Sequence, residues 1–182
     1  MVILGVNIGI IQSGKILLTK REDFEVWCLP GGIVDPGESL AQAAVRETRE
    51  ETGLEIELLR LVGAYSEIGR GDGVHIILFA GQPVGGSLKP QAGEVLELGY
   101  FDPKALPEML WWHHQRVDDV FNGAGGGMAW RTEVKPQERI NSREELYALR
   151  DRSGLGRAEF YRYFFEQNGT NEVILEVGET TL

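Results

Sequence analysis

The spacing of apolar residues along the chain changes period more than once, and the changes mark out its elements. Residues 2–11 (VILGVNIGII) and 15–20 (KILLTK) are rich in β-branched and leucine side chains, and Gln12-Ser13-Gly14 splits them into a predicted hairpin. Residues 21–25 are a polar loop. Val26, Trp27, Cys28 and Leu29 then make a short strand that runs into Pro30-Gly31-Gly32. From Ser39 the period becomes helical. Ser39 with Gln42 forms a capping box ahead of an alanine-rich run, and Gly53 supplies the stop. Ala41, Val45, Thr48 and Thr52 form the stripe expected to pack on a sheet.

Strand character returns over 55–67, where the alternation of Ile56 and Leu58 slips before Leu61 and Val62. The glycine-rich residues 69–73 predict a turn, 74–80 a strand, 81–93 a loop and 97–101 another strand. Further on, 107–121 predicts a helix stopped by Asn122-Gly123 and the flexible stretch 123–127. Ser142 and Glu145 pair as a second capping box for a helix through about residue 152. After the interruption at Ser153-Gly154-Leu155-Gly156, residues 157–167 predict a helix ending at Asn168-Gly169, and 173–177 a last strand. Strands on both sides of one helix make the expected class α/β, a sandwich.

Composition narrows this picture. No apolar run approaches the ~20 residues that span a bilayer, and the N-terminus lacks the basic and small-residue marks of a secretory signal. The single cysteine, Cys28, excludes an internal disulfide and points to a reducing compartment, the cytoplasm. The net charge of −10 is spread along the chain, and no Lys/Arg stripe offers a groove for a nucleic-acid polymer. Small phosphorylated ligands remain, because bound metal ions reverse the sign of a local field.

Within the first predicted helix, Glu47, Glu50 and Glu51 stand at i, i+3 and i+4, which places them on one face within about 6 Å of each other. Like charges at that spacing repel. Arg46 is at hand but cannot neutralise all three, whereas a divalent cation can. Mg²⁺ takes octahedral oxygen ligands and keeps several waters, so a few carboxylates and a substrate phosphate suffice. Such a site neutralises phosphoanhydride oxygens and activates a water for in-line attack. Gly31-Gly32 lies just ahead of the helix, where a missing Cβ lets backbone approach metal or phosphate.

The segment GIVDPGESLAQAAVRETREETGL, from Gly32 through Glu38, Arg46, Glu47, Glu50, Glu51 and Gly53 to Leu54, resembles the Nudix box, the signature of the Nudix hydrolase family. Thr48 is the one departure, at a position that is usually apolar, and it keeps the β-branched shape. The resemblance implies the Nudix fold, a mixed β-sheet between helices, over about residues 1–107. It closes with Tyr100-Phe101-Asp102-Pro103 and Leu106-Pro107, and leaves 108–182 as a mainly helical extension packed on the core or on a dimer partner. It further implies a pyrophosphohydrolase that cleaves a nucleoside diphosphate linked to another moiety, using Mg²⁺ with Mn²⁺ as a substitute. Glu47, Glu50 and Glu51 would hold one to three ions, and Arg46 would orient a glutamate. The general base is a box glutamate or a loop glutamate, Glu94 or its competitor Glu97.

Other residues carry smaller expectations. Arg21 closes a strand facing the site and would pair with a phosphate, and Trp27 or Phe24 would stack on a base or pack in the core. His75 reads as a half-buried strand histidine, and His113-His114 diverge too far on a helix to form a paired metal site. The aromatic run Phe160, Tyr161, Tyr163, Phe164 and Phe165 is expected to pack on the core or across a homodimer interface. In ADP-ribose hydrolases of the family a proline is expected about sixteen residues beyond the box, where this chain has Arg70. Nucleoside triphosphates and nucleotide sugars therefore stand beside ADP-ribose as candidate substrates. Two rivals are a catalytically silent nucleotide-binding module, which usually loses box carboxylates, and an isoprenoid-diphosphate isomerase, which needs a catalytic cysteine that Cys28 fits poorly.

Overall fold

The computed structural model of the chain describes residues 2–69, 73–123, 127–135, 140, 142–167 and 170–177. Among these the elements run β1 (Ile3–Gln12), β2 (Lys15–Arg21), β3 (Trp27–Cys28), α1 (Leu40–Thr52), β4 (Leu54–Ile68), β5 (Val74–Gly86) and β6 (Val95–Phe101). They continue with α2 (Trp111–Phe121), β7 (Met128–Lys135), α3 (Arg143–Ser153), α4 (Arg157–Arg162), a π-helical turn (Tyr163–Gln167) and β8 (Thr170–Val177). The strands form one mixed sheet in the order β3-β2-β1-β5-β4-β7-β8, with β6 paired to β2.

The hairpin forms as predicted. Ser13 and Gly14 both take positive φ, 51° and 74°, as a two-residue turn matched to strand twist requires. Yet β1 and β2 pair only at Ile11↔Ile16 and Gln12↔Lys15 before separating, β2 to β6 and β1 to a parallel ladder with β5. The segment ahead of α1 fills the vacated edge of β1. Val6 N–H donates to the Gly32 carbonyl at 2.9 Å, Ile8 N–H to Pro30 at 3.0 Å, and Val34 N–H to Leu4 at 3.0 Å. The residues that begin the acidic motif are thus held as an irregular strand on the sheet.

Side chains of β1 alternate between two layers. Val6, Ile8 and Ile10 pack with Ala43 and Ala44 of α1 and with Leu17, Leu54 and Ile56. On the other face α2 buries Val117 and Val120 against Ile16, Leu18, Val62, Tyr65 and Leu78. The expected sandwich of a mixed sheet between helices is what the chain forms.

The buried side of α1 is Ala43, Ala44, Thr48 and Thr52, rotated from the expected stripe, so that Ala41 and Val45 are exposed. Large residues on β1, β2 and β4 fill the layer and leave methyl-sized room beneath the helix. Both threonines are buried without an orphaned hydroxyl, since Thr48 donates to the Ala44 carbonyl at 2.8 Å and Thr52 to Thr48 at 2.6 Å.

Other differences have local causes. β5 does not stop at residue 80. It runs to Gly86 because β4 pairs with it throughout, and a register shift between Glu55 and Ile56 accommodates Pro83, which cannot donate. The slip after Leu58 corresponds to further shifts between Leu58 and Arg60 and between Leu61 and Gly63. α2 begins at Trp111, not 107, since Leu110 is extended (φ −65°, ψ 145°) and Met109 bridges to Trp27. β7, which periodicity did not disclose, adds parallel to β4 and carries β8 antiparallel. The predicted turns at 69–73 and 123–127 lie partly, and that at 168–169 wholly, outside the described residues.

After residue 107 the chain returns to the core. Leu146, Phe160, Tyr161, Phe164 and Phe165 enclose Phe24, Val26, Leu110 and Trp112, while Tyr163 is exposed. Phe160 and Phe165, fully buried, contribute about 1.5–3 kcal/mol each relative to exposure. Among the described residues no helix is long and apolar enough to cross a membrane.

α1 ends at Gly53 with φ 73°, its N–H donating to the Arg49 carbonyl. A Cβ at Gly53 would sit 2.5 Å from the Ser87 carbonyl oxygen. Gly53→Ala is therefore expected to lower stability by at least about 1–2 kcal/mol, read as a shift in the urea unfolding midpoint at unchanged m-value.

Candidate active site

The acidic face of α1 meets the 30–34 segment. Gly31 takes φ 149°, and a Cβ there would overlap the Val6 carbonyl and lie 2.7 Å from the Asn7 amide nitrogen. Held in that way, its N–H donates to Glu51 Oε2 at 2.9 Å. A Cβ on Gly32 would overlap the Glu47 carboxylate. The two glycines thus give the carboxylates a donor and the room to sit.

Arg46 is the organising cation. Its Nε and Nη2 donate to Glu38 at 3.1 and 2.5 Å, Nη2 also to the Ile33 carbonyl at 3.1 Å, and Nη1 to Glu47 at 2.8 Å and Glu50 at 3.1 Å. Glu38 in turn accepts the Asp35 N–H at 2.7 Å. The expected i, i+4 pairing of Arg46 with Glu50 is present, and Glu38 buttresses the guanidinium. Glu47 is turned inward, with 14% of its side chain exposed, and Glu50 outward at 48%.

A loop carries a fourth carboxylate to this face. The last carbonyls of α1 accept from it, Glu51 from Gln91 N–H at 3.3 Å, Thr52 from Lys89 at 2.8 Å and Gly53 from Ser87 at 3.3 Å. Open helix-end acceptors therefore serve as the loop's anchor. Glu94 follows, and its charge reaches both Glu47 and Glu51. Glu97 stands instead on β6, paired with Lys20 at 2.7 Å.

Burial, reinforced by Glu47 and Glu94, pushes the Glu51 carboxyl up to about 8, with the Gly31 bond and Arg21 opposing. Glu47 is raised by the same burial, and by Glu50 and Glu94, against the pull of Arg46. These hard oxygen donors, crowded and short of positive charge, fit a divalent cation. Among the described residues no three acidic, His or Cys side chains already stand at ligating distance, and Arg46 bridges Glu47 and Glu50. A divalent ion would compete with that guanidinium.

The other expected residues divide. Arg21 lies near Glu51 but is engaged by Asp23, through Nε at 2.8 Å and a second bond from Nη2. Trp27 is half-buried, edge-on to Phe101 at 4.8 Å, and packed against the main core. Cys28 is buried against the Thr19 hydroxyl at 3.4 Å, and burial pushes its thiol up to about 11, the reverse of an activated nucleophile. His75 pairs with Ser66 at 2.9 Å. Arg70 lies outside the described residues.

Sequence reading missed two groups. Asn7, Arg116 and Glu67 form a buried network behind Pro30-Gly31, with Arg116 donating to Asn7 at 3.0 Å and Glu67 at 2.8 Å. The other is the polar loop 21–25, where Glu22 N–H donates to the Glu94 carbonyl at 2.8 Å. Nothing in the spacing of either group signals these contacts.

The family model for the NUDIX domain matches residues 3–121. A putative 8-oxo-dGTP diphosphatase of Bacillus subtilis is 41% identical over 114 residues, 62% of this chain and 75% of that protein. An ADP-ribose pyrophosphatase of Methanocaldococcus jannaschii is 36% identical over 124 residues, 65% and 73% of the two chains. The crystal structure of an ADP-ribose pyrophosphatase from Streptococcus suis matches with a TM-score of 0.60 at 27% identity, covering 66% of this chain and 90% of that one. The chain belongs to the Nudix family and is a Nudix pyrophosphohydrolase.

The elevated Glu51 carboxyl has a consequence for stability. Folded, it holds a proton up to about pH 8, whereas unfolded it releases the proton near 4.5. In chelator, the folded state therefore loses stability as pH rises from about 4.5 to 8. Melting temperature against pH in EDTA is expected to fall over this window, and Glu51→Gln to flatten the fall. Added Mg²⁺ should raise the melting temperature more at pH 8 than at pH 5.

Proposed function

We propose that this chain hydrolyses a nucleoside diphosphate linked to another moiety, by in-line attack of water on phosphorus at the Glu47–Glu50–Glu51 face. Family members use divalent metal ions, and Mg²⁺, with Mn²⁺ as substitute, suits the all-oxygen donors. Bound there, the ion neutralises the diphosphate oxygens and lowers the pKa of a water. The observation that carries the reading is the half-buried Glu51, bonded to the Gly31 N–H at 2.9 Å on the same helix face as the inward-turned Glu47, with the Glu94 loop tied to the end of that helix.

Each residue then has a duty. Glu47, Glu50 and Glu51 hold the cation, and Arg46, fixed by Glu38 and the Ile33 carbonyl, orients Glu47 and Glu50. Glu94 takes the proton of the attacking water at a carboxylate oxygen, and its loop position leaves it free of the lysine that engages Glu97. Arg21 contacts a phosphate, and Trp27 offers a ring edge beside the base. Gly31 and Gly32 serve the substrate indirectly, by giving the Glu51 and Glu47 carboxylates a donor and the room to sit. The relatives above are named as a putative 8-oxo-dGTP diphosphatase and an ADP-ribose pyrophosphatase, and the proposed class takes in nucleoside triphosphates and ADP-ribose-like compounds with nucleotide sugars beside them. An isomerase reading is not supported, given the closed environment of Cys28.

The test is phosphate release, with added phosphatase, from 8-oxo-dGTP, dGTP, ADP-ribose and UDP-glucose, with and without Mg²⁺. Mg²⁺-dependent turnover is expected on at least one of these. Glu51→Gln and Glu50→Gln should abolish it in a folded protein, and Glu94→Gln should lower kcat by about 10²–10⁴-fold. Full activity of Glu50→Gln or Glu51→Gln would sink the assignment. Tight nucleotide binding without turnover would favour the silent module.

A further inference from the structure

The turn that follows β2 is gripped from outside by the C-terminal helices. Tyr147 of α3 donates its hydroxyl to Asp23 Oδ2 at 3.1 Å, and Arg150 Nη1 donates to the Asp23 carbonyl at 2.7 Å. Arg150 also lies over the rings of Phe24 and Tyr147, at 5.7 and 4.8 Å. From α4, Arg157 Nη1 donates to the Glu22 carbonyl at 2.8 Å, and Tyr161 stacks on Phe24 at 4.2 Å. The turn needs such support, because Glu25 is held at φ 56°, a conformation that costs a non-glycine residue.

From the inside, the same turn touches the candidate site at two points. Asp23 holds the Arg21 guanidinium through two bonds, one at 2.8 Å. Glu22 N–H donates to the Glu94 carbonyl at 2.8 Å, and thereby ties the loop that presents Glu94. A single residue, Glu22, is thus bonded by Arg157 on its carbonyl and by Glu94 on its N–H. Asp23 is likewise bonded by Tyr147 on one side and Arg21 on the other. The bonds are continuous from the extension to Arg21 and to the backbone of Glu94.

We propose that α3 and α4 are a positioning element for the site: Arg157 and Tyr147 fix the 22–25 turn and, through it, the placement of Arg21 and of the Glu94 loop that the C-terminal end of α1 anchors. This rests on the hydrolase reading for the roles of Glu94 and Arg21, though not for the mechanical link itself. Neither Arg157 nor Tyr147 touches substrate; each acts through the turn. The extension does more than cover an apolar patch, since a cap of that kind has no need of polar bonds to the backbone and carboxylate of this turn. Misplacing a catalytic group by about an ångström costs on the order of 10²-fold in rate, so a loosened turn should register in turnover.

The test uses the full chain with Tyr147→Phe, Arg157→Ala, Arg157→Lys and the double variant Tyr147→Phe/Arg157→Ala. Arg152→Ala, an exposed neighbour on α3, is the control. Amide exchange is read at residues 21–26 and 87–95. Kinetics are read on whichever of 8-oxo-dGTP, dGTP, ADP-ribose or UDP-glucose the wild type cleaves fastest. The double variant is expected to melt as a folded protein, to exchange faster at both segments, and to lose about 10- to 100-fold in kcat with KM changed by less than about threefold. Arg157→Lys, which keeps a donor for the Glu22 carbonyl, should recover most of the loss, and Arg152→Ala should behave as wild type. Unchanged exchange at 87–95 in the folded double variant would overturn the proposal. So would a loss that appears in KM alone, or one that Arg152→Ala reproduces. If the wild type cleaves none of the four nucleotides, the hydrolase reading fails, and exchange at 87–95 decides the positioning claim by itself.

Discussion

Like-charge repulsion at one edge of α1 is the constraint around which the rest is arranged. Glu47, Glu50 and Glu51 share the helix face, and Glu94 approaches from the facing loop. In water such a group would spread apart or protonate, at modest cost. Here the backbone forbids spreading, and burial makes each charge dearer. Arg46 relieves part of the strain at Glu47 and Glu50, and the Gly31 N–H part at Glu51. On the proposed function, the remaining deficit of positive charge is what a bound cation would supply.

The sheet imposes this crowding through two devices. Methyl-sized residues under α1 let it sit low on β1, β2 and β4, so that its carboxylates come level with the 30–34 segment. That segment is bonded to β1 where β2 turns away, and so cannot recoil from them. A third device works at the other end of the helix. Its last carbonyls, which any helix leaves unpaired, hold the loop of Glu94. The site is therefore defined by backbone positions at both ends of one helix, and side chains only complete it.

This explains what the sequence could disclose. Motif spacing made the three box glutamates, Arg46, the cap at Ser39 and the stop at Gly53 legible, because each depends on residues within one helix turn or one loop. The face on which α1 packs was misjudged by about one position, since apolarity favoured Val45 over Ala44 and the choice belongs to the sheet beneath. β7 and the long β5 were illegible for the same reason, as both are strands by virtue of pairing with β4. Asn7, Arg116 and Glu67 lie 109 and 49 residues apart in their contacts, and no local pattern encodes such a network.

Charge also bears on how an anionic substrate enters a chain of net charge −10. The nearest cations are not open to it. Arg46 is shared among Glu38, Glu47 and Glu50, and Arg21 is engaged by Asp23. Freeing either guanidinium for a phosphate would strand a carboxylate, a cost of the same order as the gain. On the proposed function, divalent ions held by Glu47, Glu50 and Glu51 would neutralise the diphosphate. Arg21 adds direction more than charge, because a guanidinium already fixed by Asp23 can offer only its remaining N–H groups, at one angle. The 22–25 turn sets that angle, and the alignment of the phosphate for attack, more than its binding, thereby depends on helices far along the chain from the residues that define the chemistry.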